Sequence, residues 1–235
     1  MIKVILWDID GTLLDFEAAE KAAIQSCFDK FGFGICTTDM LKRYSVINRG
    51  YWIKLERGEM EKKDILVNRF RDFFTEYGLD AGVASDFNNE YQLRLGDTIV
   101  FFKGGLEAVE YYKGKVVQCI VTNGTKRAQD RKILNSGLDK LIDYIFISEE
   151  VGIEKPGVGF FDKVFEVLRK NVDENIQKDE VIIIGDSLTS DMQGGNNAGI
   201  KTCYFNPKKS KYETTLQIDY EISELSETVE IINNI

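Results

Sequence analysis

The chain has 235 residues, 43% of them apolar and 29% charged, and carries a formal net charge of −9 at pH 7. That length can bury a sizeable core in one large domain or two smaller ones, and the acidic balance argues against a groove for a nucleic-acid polymer built on bulk positive charge. Histidine is absent, which excludes Ser-His-Asp and zinc–histidine chemistry and leaves proton transfer to a carboxylate, Lys, Tyr, Cys or water.

The chain opens MIKVILWDIDGTLLD. Ile2, Val4, Ile5, Leu6 and Trp7 form a short continuous apolar run that predicts a strand buried on both faces, ending at Asp8 and Asp10. Residues from about Phe16 to Gly96 then read almost wholly helical. In EAAEKAAIQSCFDKFG, Ala23, Cys27, Phe28 and Phe31 share a stripe, with Gly32 placed as a C-terminal cap. In EKKDILVNRFRDFFTEYG the stripe is Ile65, Leu66, Arg69, Phe70, Phe73, Phe74 and Tyr77, with Gly78 after it. From about Thr98 strands and helices alternate. GLEAVEYYKG reads as helix, VVQCIVTNG as strand, KRAQDRKILNSG as helix, YIFISEE as strand and FFDKVFEVLRKN as helix. EVIIIGDS follows as strand, TSDMQGGNNAG as helix, KTCYFN as strand and SELSETVEIINNI as a closing helix. Such alternation implies parallel βαβ units with right-handed crossovers, so the acidic opening strand belongs to the later sheet and the helical block is an insertion after it.

No apolar run approaches the ~18 to 20 residues of a membrane helix, and the strand-like N-terminus lacks a signal-peptide pattern, so a cytoplasmic protein is expected. Cys27, Cys36, Cys119 and Cys203 show no CxxC spacing and read as ordinary reduced residues.

Four polar segments end predicted strands: DIDGT, TNG, the EKP after ISEEVGI, and GDSLTSD. Singly each has a structural reading. TNG is a turn in which Gly124 supplies a positive φ, EKP a solvated lysine before a proline-started helix, and GDSLTSD a strand end before a capped helix. Together they gather Asp8, Asp10, Thr122, Asn123, Lys155, Asp186 and Asp191 on one edge of a parallel sheet, where α/β sheets bind ligands. Carboxylates from Asp8, Asp10 and Asp186 in one place are unfavourable without a compensating cation. Oxygen donors without histidine point to Mg²⁺, with Lys155 and Thr122 facing phosphoryl oxygens.

These four ordered motifs resemble those of the haloacid dehalogenase (HAD) superfamily, whose members are mostly Mg²⁺-dependent phosphatases. NRGYWIKLERGE and ISEEVGIEKPGVGFFDKVF further resemble the YjjG-type pyrimidine 5'-nucleotidases. The resemblance implies an α/β fold: a three-layer, Rossmann-like parallel sheet as catalytic core (residues 1–15 and 97–235) and an inserted helical cap (residues 16–96) that closes over the cleft. It makes Asp8 the nucleophile and Asp10 the group that protonates the leaving oxygen and then deprotonates water. It assigns Mg²⁺ to Asp8, Asp186 and the Asp10 carbonyl, and the phosphoryl oxygens to Thr122, the Asn123 amide and Lys155. Asp191 would support the metal site or Lys155. In the cap, Asn48, Arg49 and Trp52 are the most site-like residues, Trp52 as a stacking surface for a base; the alternative is a Trp of the cap core beside a surface Arg.

The function expected is dephosphorylation of a small phosphomonoester, a nucleoside 5'-monophosphate in the first reading. Sugar phosphates or phosphoglycolate are the alternative substrates. A phosphate-binding regulatory module is the alternative of another class, and it leaves Asp10 without a use.

Overall fold

The computed structural model describes all 235 residues. Six parallel strands form one sheet in the order β3-β2-β1-β4-β5-β6: β1 Val4–Trp7, β2 Val117–Thr122, β3 Tyr144–Ile147, β4 Val181–Gly185, β5 Lys201–Phe205 and β6 Tyr220–Ile222. The opening strand lies inside the sheet between β2 and β4, with Trp7 level with both Ile120 and Ile184.

Because successive residues of a strand point to opposite faces, each strand feeds two cores. Ile5, Trp7, Ile120, Ile182 and Ile184 pack on one face beneath α5 (Gly105–Tyr112) and α10 (Glu227–Asn233). Val4, Leu6, Cys119, Val121 and Ile183 pack on the other beneath α8 (Val158–Asn171) and α9 (Gln193–Ala198). Burial on both faces explains the unbroken apolar runs, and the result is a three-layer, Rossmann-like α/β sandwich.

Four helices follow the opening strand: α1 Phe16–Phe31, α2 Thr38–Glu56, α3 Lys62–Glu76 and α4 Ala84–Arg94. Asp15 caps α1 by accepting a hydrogen bond from the Ala18 amide at 3.1 Å, satisfying one of the free N–H groups of the first turn. The block has an aromatic core of its own. Phe28, Tyr44, Phe70, Phe73, Phe74, Phe87 and Tyr91 are all buried there, and Phe87 meets Phe70 and Phe74 at ring distances of 4.9 Å, within the range of favourable ring pairing.

Two elements differ from the sequence expectation. Strand β6 was not anticipated, because three residues within a polar stretch carry too little alternation to signal a strand. The predicted strand YIFISEE ends at Ile147, and Ser148–Val151 turns into a short helix, α7. All four cysteines are buried and free, and no helix is long and apolar enough to cross a membrane.

Candidate active site

Asp8 directly follows β1, and its amide continues the ladder by donating to the Ile184 carbonyl at 2.9 Å. Thr122 is the last residue of β2, and Asp186 follows β4. With β1 flanked by these two strands, the shared register brings the three side chains to one edge. The chain then turns sharply at Gly11, whose φ is +93° and where a Cβ would lie 2.5 Å from Asp186 Oδ2. Glycine is therefore required there twice over, by conformation and by space. The Thr12 hydroxyl stands between the two acids, 3.2 Å from Asp8 Oδ2 and 3.3 Å from Asp186 Oδ1.

Lys155 enters from the loop after α7 and is 1% exposed. Its ammonium donates to Asp8 Oδ1 at 2.9 Å, Asp191 Oδ1 at 2.6 Å and the Val121 carbonyl at 2.8 Å, which uses all three protons. The Asn123 side chain braces the same loop: its Nδ2 donates to the Lys155 carbonyl and its Oδ1 accepts from the Lys155 amide, both at 2.8 Å. Asp191 sits in a π-helical turn, Leu188–Met192, and its second oxygen accepts from the Ser187 amide at 3.1 Å.

Three carboxylates crowd together, but not the three expected. Oxygens of Asp8, Asp186 and Asp191 lie within 4.8 Å of one another, whereas the Asp10 carboxylate turns away toward α6 (Lys126–Ser136). Burial pushes Asp8 up to about 7, partly opposed by Lys155 and reinforced by Asp191 and Asp10. Burial likewise raises Asp186 well above the usual carboxylate range, with Asp8 and Asp191 adding to the effect. Lys155 stays charged because Asp191 and Asp8 outweigh the cost of burying it. One lysine among three acids leaves negative charge uncompensated, and the donors are hard oxygens, so the set fits a divalent cation of the Mg²⁺ type. Asp191 gives one oxygen to Lys155 and the other to the Ser187 amide, while Asp8 and Asp186 share the Thr12 hydroxyl where the chain turns at Gly11.

The partners of Asp10 were missed from sequence. The Lys132 ammonium pairs with its Oδ1, and Gln129 Nε2 donates to its Oδ2 at 2.6 Å. Their only sequence signal was two polar residues three apart on a helix, on the same side as Ala128 and Ile133. The structure also changes the role of Gly124. Its φ is not positive; instead, a Cβ there would collide with the Gln129 amide nitrogen.

In the helical block, Asn48 is buried, with Nδ2 donating to Glu20 Oε1 at 2.8 Å and Oδ1 accepting from Arg69 at 2.6 Å. Arg69 itself is 1% exposed and also donates to Asn88 at 3.0 Å. A lone Arg on an otherwise apolar stripe was the sequence sign of this network. Trp52 is half-buried against the Tyr51, Leu55 and Ile65 cluster. Arg49 is exposed, and its charge reaches Glu56 and Tyr204. The block is tied to the sheet side by Glu56 with Thr189 at 2.5 Å, Lys62 with Ser148 at 2.6 Å and Gln92 with Thr125 at 2.7 Å. Burial raises the Glu56 carboxyl, while the Thr189 hydrogen bond works against the shift.

Residues 5–205 match the family model for haloacid dehalogenase-like hydrolases. The chain is 33% identical over 231 residues to the HAD-hydrolase YfnB of Bacillus subtilis, covering 98% of this chain and 95% of that protein. A crystal structure of YfnB bound to magnesium superposes with a TM-score of 0.91 over 99% of both chains, at 32% identity. The pyrimidine 5'-nucleotidase PynA of Streptococcus pneumoniae is 31% identical over 222 residues, 94% of this chain and 90% of its own. The pyrimidine 5'-nucleotidase YjjG of Escherichia coli is 24% identical over 228 residues, 97% and 96% of the two chains.

Proposed function

The chain belongs to the haloacid dehalogenase-like hydrolases, and on that premise we propose that it is a Mg²⁺-dependent phosphomonoesterase acting on pyrimidine nucleoside 5'-monophosphates. The observation that carries the chemistry is the contact of a nucleophilic carboxylate, Asp8, with a buried cation, Lys155, at the strand edge beside Thr122 and Asp186. Similarity to PynA and YjjG supports the substrate class.

In this mechanism an Asp8 oxygen bonds to phosphorus as the ester bond breaks, giving an aspartyl-phosphate. Asp10 passes its proton to the departing oxygen. It then takes one from the water that attacks the phosphoryl group, and Asp8 is released as a carboxylate. The Thr122 hydroxyl and the Asn123 main-chain amide hold the phosphoryl oxygens, and Lys155 joins them with the proton it gives Asp8 Oδ1 in the free enzyme, released once Asp8 bonds to phosphorus; the Asn123 side chain is occupied with the Lys155 loop. A Mg²⁺ ion held by Asp8, Asp186 and the Asp10 carbonyl supplies positive charge against the phosphoryl group when bound. Asp191 keeps Lys155 in place. Residues 16–96 act as a cap that shields the cleft, with Arg49 and Trp52 toward the nucleoside and Asn48 behind them, anchoring Arg69.

Phosphate release should be measured over a panel of nucleotides and sugar phosphates. UMP or dTMP should head the panel, EDTA should stop turnover, and Mg²⁺ should restore it. Asp186→Ala should raise the Mg²⁺ concentration needed for half-maximal rate. Full turnover in metal-free buffer would refute the mechanism, and a preference for sugar phosphates would refute the substrate.

Trp52→Ala tests the cap separately. Loss of a base-stacking surface should cost about 1 to 3 kcal/mol in kcat/KM for UMP, borrowing the scale of single-strand base stacking, and should leave a sugar phosphate nearly unaffected. Equal losses on both substrates would make Trp52 a packing residue of the Tyr51–Leu55–Ile65 cluster.

A further inference from the structure

Building on the reading of Asp10 as proton donor and acceptor, we propose that Lys132 and Gln129 are its positioning residues: a two-pronged clamp on α6 that fixes the Asp10 carboxylate. Lys132 and Gln129 are 2% and 1% exposed, and being three apart they project from one face of the helix. Each takes a different oxygen of Asp10, so rotation of the carboxylate about its own bond is blocked. A carboxylate has about four lone-pair sites and the clamp uses two. The Asp10 side chain keeps 22% of its surface exposed, so part of the group stays open for proton transfer.

Packing alone does not account for these two residues. Burying two long polar side chains costs rotamer freedom and hydration. Gln129 pays a further penalty, because its Oε1 is buried with no hydrogen-bond partner, the kind of orphaned group that calls for an explanation. A Met of similar volume would fill that space without the orphan. The second motif is shaped around the clamp as well, since Gly124 leaves the space that the Gln129 amide occupies. On its other side the Lys132 ammonium lies 5.1 Å from the ring centre of Phe16, the first residue of α1. The clamp therefore sits where the chain leaves the sheet for the helical block.

The test compares wild type, Lys132→Met, Gln129→Met, Asp10→Asn and the Lys132→Met/Asp10→Asn double variant on p-nitrophenyl phosphate and an alkyl phosphate. Lys132→Met should lower kcat/KM on the alkyl phosphate roughly 100-fold, the low end of what a positioned proton donor contributes. On p-nitrophenyl phosphate, whose leaving group needs no proton, the loss should stay below about 10-fold. The double variant should be no worse than Asp10→Asn, since residues acting through one group are not additive, and Lys132→Arg should recover most of the selective loss. Equal loss on both substrates, or additive losses, would overturn the clamp. Gln129→Met removes the orphaned oxygen together with the donation to Asp10, two opposed effects on stability, so it should stay folded and lose alkyl phosphatase activity selectively. That variant decides the matter if Lys132→Met does not fold, and unchanged selectivity in it overturns the proposal. If wild type and Asp10→Asn do not differ in leaving-group dependence, the role of Asp10 is refuted and the clamp falls with it. If they differ as expected while both clamp variants behave as wild type, only the clamp is refuted.

Discussion

Asp8→Asn should lower turnover by roughly 10⁴-fold or more, the scale on which loss of a covalent nucleophile is felt, while leaving the fold intact. The amide keeps the shape of the carboxylate. Its oxygen can still accept from Lys155, and its NH₂ can donate to the Thr12 hydroxyl now facing Asp8 Oδ2. Lys155 keeps the charge of Asp191 at 2.6 Å, so no cation is left bare. Removing one of three crowded acids also relieves repulsion: Asp8 is one of the groups that raise Asp186. The melting temperature in metal-free buffer should therefore be equal to or above that of wild type. Acid-quenched wild type incubated with substrate should carry a phosphoryl group that the variant lacks. Retention of more than about one per cent of wild-type activity would rule out Asp8 as the nucleophile.

Lys155→Met should be the most damaging single change to both stability and activity. It leaves the Asp8 and Asp191 carboxylates buried without their shared ammonium, and removing one partner of a buried ion pair costs about 3 to 5 kcal/mol. The sign of the pH dependence follows from the acids left behind. Asp8 already stands at about 7 because of burial, above its value in the unfolded chain, and losing Lys155 removes the largest influence holding it down. A carboxyl raised on folding contributes stability at low pH that is lost as pH rises through its folded value. Urea denaturation should therefore show the greatest deficit near about pH 8 and a smaller one near about pH 5. A deficit independent of pH would mean that Lys155 supports the loop through packing alone. Turnover should be undetectable at either pH.

The polar strand ends were legible because each is a local pattern with a topological consequence. An apolar run closed by Asp8, another closed by Thr122 and a third closed by Asp186 need only be strands of one parallel sheet for their ends to meet. The alternation of strands with helices already implied that sheet. The helical block was equally plain from the 3.6-residue stripes through Phe28 and Phe70. Strand β6 was not, because its pairing with β5 supplies the order that its three residues lack.

Side-chain partnerships followed a different rule. Lys132 lies 122 residues from Asp10 and Arg69 lies 21 from Asn48, and nothing local marks either pair. Asn48 read as a site-like residue of the cap beside Arg49 and Trp52, yet the packing of α2 against α3 turned its amide inward to Arg69. Asp10 read as one of three clustered acids, yet α6 drew its carboxylate aside and left Asp191 in the cluster. Backbone hydrogen bonding and burial of apolar faces act residue by residue along the chain, so sequence pattern determined five of the six strands, the main helices and the edge where the motifs gather. The direction of a carboxylate depends on which donors tertiary packing brings within about 3 Å of it, and that only the folded chain decided.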